Sequence, residues 1–488
     1  MRITIVGAGF SGVALAAALQ RSAAADAHIH LVGVDHGYGG GVAYGEARPE
    51  HVLNVRARDL GLAPDAPEDF ADWFNLGDRG RNAFLPRQLY GDYLRDRVHG
   101  LLHADGAQVH AVRREVVAIE RLERGFAVRL DDGAAIISDQ VVLAVGALPP
   151  PPLAGVGPRL AVHPSYIGWP WQERAIERID PDARVLVVGT GLTMADVIAT
   201  LRQRGHRGPI HALSRHGLLP REHAEQPLPA VELPPAILQA LAAHDLRELL
   251  RRIRALSKLV DWRALIDALR PHTQAFWRGL PEPQRRRFLR HLRSWWEVAR
   301  HRVAPPVAAH IHALRESGQL RVIAGRLVRA GSAEDCVSVL IRPRGARDVR
   351  HERYDVLLRA TGLNTDVART THPLLAQLRE SGMLRADAQE LGLDTSDELE
   401  VLDRRGRTVP GLYCLGPLLR GRYWEITAVP ELRVRAQRLA ESLVALHVRG
   451  RDQRNIAAAT HIDPSAQSAR ARQSQRSPSS TPRPGPGS

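Results

Sequence analysis

Two stretches of the chain repeat one pattern of apolar and small residues. Arg2-Ile-Thr-Ile-Val6 runs into Gly7-Ala-Gly9-Phe-Ser11-Gly12, and the apolar residues 13–19 follow. Arg184-Val-Leu-Val-Val188 runs into Gly189-Thr-Gly191-Leu-Thr193-Met194, and the largely apolar residues 195–201 follow. A short unbroken apolar run predicts a strand buried on both faces, as in a parallel sheet. The segment after each glycine turn predicts a helix. Gly7 and Gly189 lie 182 residues apart, too far for a solenoid repeat, so the pattern predicts two copies of one domain type.

Other runs fill in the plan. Residues 27–34 predict the second strand of the first copy. Residues 126–130 and 135–137 flank Asp131-Asp132-Gly133, a hairpin signal. Residues 141–145 predict a buried strand ending at Gly146, and Leu148-Pro-Pro-Pro-Pro-Leu153 stops it and starts a crossing. From about 234 to 313 the period turns helical, which predicts an insertion in the second copy. Strands are expected at 320–323, 336–341 and 354–358, the last running into Arg359-Ala-Thr-Gly362. A last short strand is expected at 411–416 and a last helix at 430–446. The fold class is therefore α/β, with two Rossmann-like dinucleotide-binding domains. Residues 1–165 are expected to form the first part of one domain and 336–448 its second part. Residues 166–335 are expected to form the other domain, with its helical insertion. Residues 449–488 are expected as a disordered tail, because 465–488 is rich in Ser, Arg, Pro and Gly and nearly free of apolar residues.

Composition narrows the classes. The 488 residues exceed one ordinary core, and 44% apolar with 25% charged residues is the balance of a soluble globular protein. The formal charge of +14 invites a nucleic-acid reading. Lys258 is the single lysine, however, and the arginines are scattered, so no nucleic-acid partner is expected. No run of about 18 apolar residues occurs, so no membrane span is expected. Gly7, Gly9 and Gly12 interrupt the apolar N-terminus and argue against a signal peptide. Cys336 and Cys414 are the only cysteines and form no C-x-x-C, which excludes a dithiol relay and fits a reducing, cytoplasmic setting. No zinc spacing, Walker A or nucleophile-elbow motif is present, and no metal is expected.

The glycines carry the chemistry. In Gly7-x-Gly9-x-x-Gly12 the first permits a tight turn, the second lets a pyrophosphate approach the backbone, and the third allows close helix–strand packing. Ser11 stands inside this turn. Asp35, 23 residues beyond Gly12, is the candidate for the ribose hydroxyls, and a carboxylate there suits FAD or NAD rather than NADP. In the second turn Met194 replaces the third glycine, leaving Ala195 for close packing, with Thr193 beside it. Its second strand, 210–213, ends in Ser214-Arg215, which suits the extra phosphate of NADPH. Two unlike sites imply FAD at the first and NADPH at the second, with hydride passing between them.

Longer blocks extend this. His51-Val-Leu-Asn-Val55, Pro86-Arg-Gln-Leu-Tyr-Gly-Asp-Tyr-Leu94, Ser214-Arg-His-Gly-Leu-Leu-Pro220, Ala299-Arg-His-Arg-Val-Ala-Pro305 and residues 415–430 resemble the bacterial FAD/NAD(P)-binding oxidoreductase family. That family looks related to L-aspartate N-monooxygenases and flavin-dependent N-hydroxylases. The resemblance spans about 1–447. It implies an oxidoreductase that uses NADPH and O2 to form a C4a-hydroperoxyflavin and hydroxylates a small polar amine or amino acid. It places Asn54 against the flavin ring, with Gly362 in an Ala-Thr-Gly motif, and Gly416 and Pro417 beside the flavin. Apart from the resemblance, Trp424-Glu425 is an uncommon pair that admits two readings: an aromatic wall and a carboxylate that frame the flavin and orient an ammonium substrate, or a packed Trp beside a helix-capping Glu. Departures are Gly33 where the family has an acid, Arg56 where it has a proline, and Pro417 where an acid usually follows the glycine. Two alternatives stand beside this reading: an NADPH-dependent flavin reductase or oxidase without oxygen insertion, and a non-catalytic FAD-binding regulator. Substrate identity and oligomeric state stay open.

Overall fold

The computed structural model describes residues 1–22, 27–34, 38–148, 150–171, 175–334, 336–460, 485 and 487. Asp35 and the greater part of the expected tail lie outside them. The chain divides into a large unit, Met1–Ala440, and a small one, Glu441–Ser488.

Three sheets organise the large unit. In the first, Arg2–Val6 lies at the centre, parallel to His28–Val32 on one side and Gln140–Leu143 on the other. Val109–Val112 extends one edge and Thr408–Cys414 the other, both parallel. In the second sheet Val185–Val188 holds the same central place, between Ile210–Ser214 and Val356–Arg359. The third sheet is an antiparallel meander that includes the expected hairpin, Phe126–Leu130 with Ala135–Ser138.

The central strands are largely apolar because both faces are covered; in the first, only the exposed Arg2 and the buried Thr4 are polar. Ile3, Ile5, Val185, Leu186 and Val187 are all 0% exposed. The helix Phe10–Ser22 lies on the first sheet through Val13, Leu15 and an alanine run, and small side chains let it come close. The helix Leu192–Gln203 covers the second through Met194, Val197, Ile198 and Leu201.

Three boundaries differ from expectation. Cys336–Pro343 and Val356–Arg359, expected in the returning part of the first domain, pair within the second sheet. The reason is a long hairpin: Leu320–Ala333 starts parallel to Ile210–Ser214 and continues antiparallel to Cys336–Pro343. The insertion has its own core of Ile237, Leu241, Leu249, Leu265 and Leu269. Asp245 and Asp261 cap two of its helices by accepting backbone N–H bonds. It ends at the helix Arg293–Arg300. Pro305–Glu316 belongs instead to the second sheet, where Ala308 and Ile311 join Val185 and Leu320. Finally, the last helix is Val429–Thr460 and runs into the segment expected as tail. Ala457, Ala458 and Ala459 are strong helix formers and favour the extension.

The crossings between the sheets run side by side. Leu148 and Asn364 exchange backbone hydrogen bonds of 2.7 and 2.9 Å. Among the described residues no helix is long and apolar enough to cross a membrane, and no cluster of His, Cys, Asp or Glu has the makings of a metal site.

Candidate functional site

The first glycine turn leaves the C-terminal end of Arg2–Val6. Gly7 has φ +112°, and a Cβ there would lie 2.3 Å from the Ala144 carbonyl oxygen, so only glycine fits. Its N–H donates to the Val32 carbonyl at 2.8 Å. A Cβ on Gly12 would stand 1.9 Å from the Gly7 oxygen. Around Gly9 the surroundings are bare backbone, since its nearest neighbour is the Cα of Gly41 from the loop that follows the second strand. Gly416, at φ +120°, comes to this turn from the last strand: a Cβ on it would be 3.1 Å from Ser11 Oγ. Pro417 opens the short turn Pro417–Leu419 just beyond. The first turn of Phe10–Ser22 carries no acid, so its amide end is free to attract an anion. Four of the expected residues, Gly7, Gly9, Ser11 and Gly12, thus share one cradle with Gly416. The glycine at 33, where an acid was expected by resemblance, faces Ala8: its Cβ would be 2.8 Å from that of Ala8, and packing leaves no room for a side chain.

The second turn repeats the construction. Gly189 has φ +115°, its N–H donates to Leu213 at 2.9 Å, and a Cβ would meet the Ala360 oxygen at 2.1 Å. Ala144 and Ala360 are therefore equivalent, as are Gly146 (φ +74°) and Gly362 (φ +78°) two residues on. Gly362 belongs to the second turn through this equivalence. Gly191 has open space about it. Met194 is wholly buried and Ala195 nearly so, while Thr193 is half-buried. Ser214 Oγ accepts from the Gly217 N–H at 3.1 Å and lies 2.9 Å from Thr190 Oγ1, so that hydroxyl helps to shape the loop.

Arg215 is exposed just after it. Arg326 and Arg344, both exposed, join it: burial first, and then Arg344, Arg215 and Arg326, disfavour protonation of His216. Three arginines therefore lie within electrostatic reach of His216, just past the end of this second strand. Sequence reasoning found only Arg215. Arg326 lies two residues past Ala324, the register partner of Ser214, and the Arg344 N–H donates to Ala324 O at 2.9 Å. Only the sheet register carries that signal.

Between the two turns lies a junction of polar residues. His51 Nε2 is 2.9 Å from Thr200 Oγ1 on the helix of the second turn. Arg87 pairs with Asp196 of the same helix at 3.0 Å. His223 Nε2 donates to the Asn54 carbonyl at 3.0 Å, and Arg56 donates to the Ala224 carbonyl at 2.7 Å. Burial, and then nearby arginines, push His51 and His223 down to about 3, so both imidazoles are neutral. The Asn54 side chain is half-buried and makes no hydrogen bond among the described residues.

Trp424 follows the packed alternative, and Glu425 lies buried beside the insertion. Trp424 is 2% exposed and packs on Trp277, with ring centroids 4.9 Å apart, and on Phe288 of the insertion. Glu425 is a buried non-glycine residue at φ +73°. It accepts from Trp296 Nε1 at 2.7 Å, and its other oxygen is 2.9 Å from Arg300 Nε and 3.8 Å from His301. Burial raises its affinity for protons, but Arg300 and His301 outweigh this and hold it below the usual carboxylate range. Glu425 is thus tied to the insertion by the Trp296 hydrogen bond and the Arg300 ion pair, which set its charge against Arg300 rather than an ammonium substrate.

Residues 4–148 match the model of a family described as FAD-NAD(P)-binding. An uncharacterised protein of Mycobacterium tuberculosis is 24% identical over 411 residues, covering 76% of this chain and 74% of its own. The ornithine N-hydroxylase of Kutzneria sp. 744, solved with reduced FAD, NADP+ and L-ornithine, has a TM-score of 0.60 at 17% identity. The match covers 90% of this chain and 98% of that one. The L-lysine 6-monooxygenase of Pseudomonas syringae has a TM-score of 0.60 at 20% identity, over 91% of this chain and 98% of its own. This chain shares their fold.

Proposed function

We propose that this chain is an FAD- and NADPH-dependent monooxygenase that hydroxylates the nitrogen of a small amine or amino acid. One observation carries the reading: two glycine turns of equal geometry, of which only the second has three arginines just past the end of its second strand. The first turn suits the FAD pyrophosphate, because Gly7, Gly9, Gly12 and Gly416 leave backbone where any Cβ would intrude or narrow the cradle. Gly189 and Gly191 suit the NADPH pyrophosphate, and Arg215, Arg326 and Arg344 suit its 2′-phosphate. Bound there, the pair of nucleotides supplies hydride transfer and oxygen activation.

The protein's own contribution is position and shelter. His51, Arg87 and His223 fix the spacing of the two halves, and Asn54 offers an uncommitted amide at their junction. The fold shared with ornithine and lysine hydroxylases supports nitrogen as the atom oxidised. Glu425, being engaged by Arg300 and Trp296, supports the insertion and leaves ammonium recognition to other residues.

Rapid mixing tests this. The purified protein is expected to be yellow, to bleach with NADPH much faster than with NADH, and to add one oxygen atom to an amine when O2 is admitted. Peroxide equal to the NADPH consumed, for every amine tried, would support a reductase or oxidase instead. A colourless protein that takes up no FAD would remove both readings.

A further inference from the structure

A polar cavity of about 520 Å³ lies between the insertion and the segment 387–422. It includes none of the residues of the two glycine turns or their junction. Three arginines, Arg278, Arg285 and Arg422, and three aspartates, Asp387, Asp394 and Asp397, line it. The formal charges cancel, but the pairing is uneven. Asp397 takes Arg422 at 2.8 Å and Arg278 at 3.2 Å, and Asp394 takes Arg385 from outside the lining. Arg285 and Asp387 are left without an ion pair among the described residues. Arg285 donates only to the carbonyls of Leu280 and Arg278, at 3.0 and 2.7 Å. Burial and then Arg422 lower the proton affinity of Arg285, Asp387 counters them, and no ion pair joins Arg285 to Asp387 among the described residues.

Asp387 is also held in place. It is 8% exposed and accepts the backbone N–H of Gln389 and Leu391 at 2.9 and 2.6 Å. Gly421 makes room for it, since a Cβ there would lie 2.3 Å from its carboxyl carbon. Beside it the Gln389 Nε2 is buried with no acceptor among the described residues. A fixed anion, a fixed cation and an unused amide donor face one space large enough for a small molecule.

We propose that this cavity binds a small zwitterion of the free α-amino acid class, its ammonium on Asp387 and its carboxylate on Arg285 and Gln389. A net anion or cation gains from only one side, whereas a zwitterion satisfies both.

Calorimetric titration of the full-length, flavin-loaded protein with each of the twenty common L-amino acids tests this. At least one is expected to bind. Its amide, which lacks the carboxylate, and its deaminated acid, which lacks the ammonium, should each bind about tenfold more weakly or worse. Arg285→Gln and Asp387→Asn should weaken binding likewise while leaving the flavin spectrum and NADPH oxidation unchanged. If Asp387→Asn fails to fold, Arg285→Gln alone decides, because the half-buried Arg285 gives up only two carbonyl hydrogen bonds and its contact with the Trp277 ring. No binding by any amino acid at millimolar concentration overturns the proposal. So does binding that both variants leave intact, which would place the amino acid at another site. Neither outcome touches the flavin reading, whose readout is NADPH oxidation.

Discussion

The two glycine turns are built alike up to one position and then part company. Each follows the central strand of a parallel sheet and donates its first N–H to the neighbouring strand. Each would drive a Cβ into the carbonyl of an alanine, Ala144 or Ala360. The third position then differs. Gly12 presses on the first turn's own backbone, whereas Met194 points into the core and is 0% exposed. The first helix sits tight on its turn for lack of a side chain, and the second is anchored by a large one. The surroundings differ too. Gly416 and the Gly39–Gly41 loop close over the first turn, while the second faces three exposed arginines. On the proposed function, the shared backbone would place a pyrophosphate and the side chains around it would select the nucleotide.

The largest expected effect is at the first glycine of each turn. Gly7→Ala should yield a colourless protein, because the new methyl must displace either the Ala144 carbonyl or the turn proposed to hold FAD. Gly189→Ala should stay yellow but bleach with NADPH about a hundredfold more slowly. Absorbance of the purified variants and a stopped-flow trace separate the two. If Gly189→Ala also lost its flavin, the turns would not be independent sites.

Next comes the third position. Met194→Gly restores the full glycine spacing but removes a buried side chain and adds a helix glycine. It should cost about 3–6 kcal/mol in urea unfolding and gain nothing in NADPH affinity. An unchanged midpoint, or tighter NADPH binding, would mean that the second turn uses its third position as the first does.

The arginines come third. Arg326→Ala and Arg344→Ala should each raise KM for NADPH about tenfold, the worth of one charge-assisted hydrogen bond, and leave KM for NADH unchanged. Equal effects on both cofactors would mean that the trio does not read the 2′-phosphate. These residues also mark where sequence reading stops. The glycines were legible because spacing along one strand–turn–helix carries their meaning. Arg326 and Arg344 were not, because over 100 residues separate them from Ser214 and only the pairing of Ser214 with Ala324 joins them. Trp424 and Glu425 were legible only as two alternatives. An uncommon pair in sequence says nothing about partners, and theirs are Trp277 and Arg300, supplied by an insertion whose docking no local pattern encodes. The long hairpin that carries the second sheet past residue 336 was hidden in the same way, since two short apolar runs do not reveal that they pair.

The smallest effect concerns what holds the turns in register. His51 and His223 bridge the two halves as neutral imidazoles, held at about 3 by burial with arginines nearby. An unfolded histidine titrates near 6.5. Below that pH the unfolded chain takes up protons that the folded chain refuses, so stability falls as pH drops from about 6.5 towards 3. It is flat with respect to these two groups above about 7. From pH 7 to pH 6 each histidine should remove about 0.7 kcal/mol. Urea unfolding at the two pH values, for the wild type and for His51→Gln with His223→Gln, isolates their share from that of other buried histidines. The wild type should lose about 1.4 kcal/mol more than the double variant over this interval. Equal losses would mean that the two histidines titrate alike in both states, so that burial at the junction does not hold them neutral.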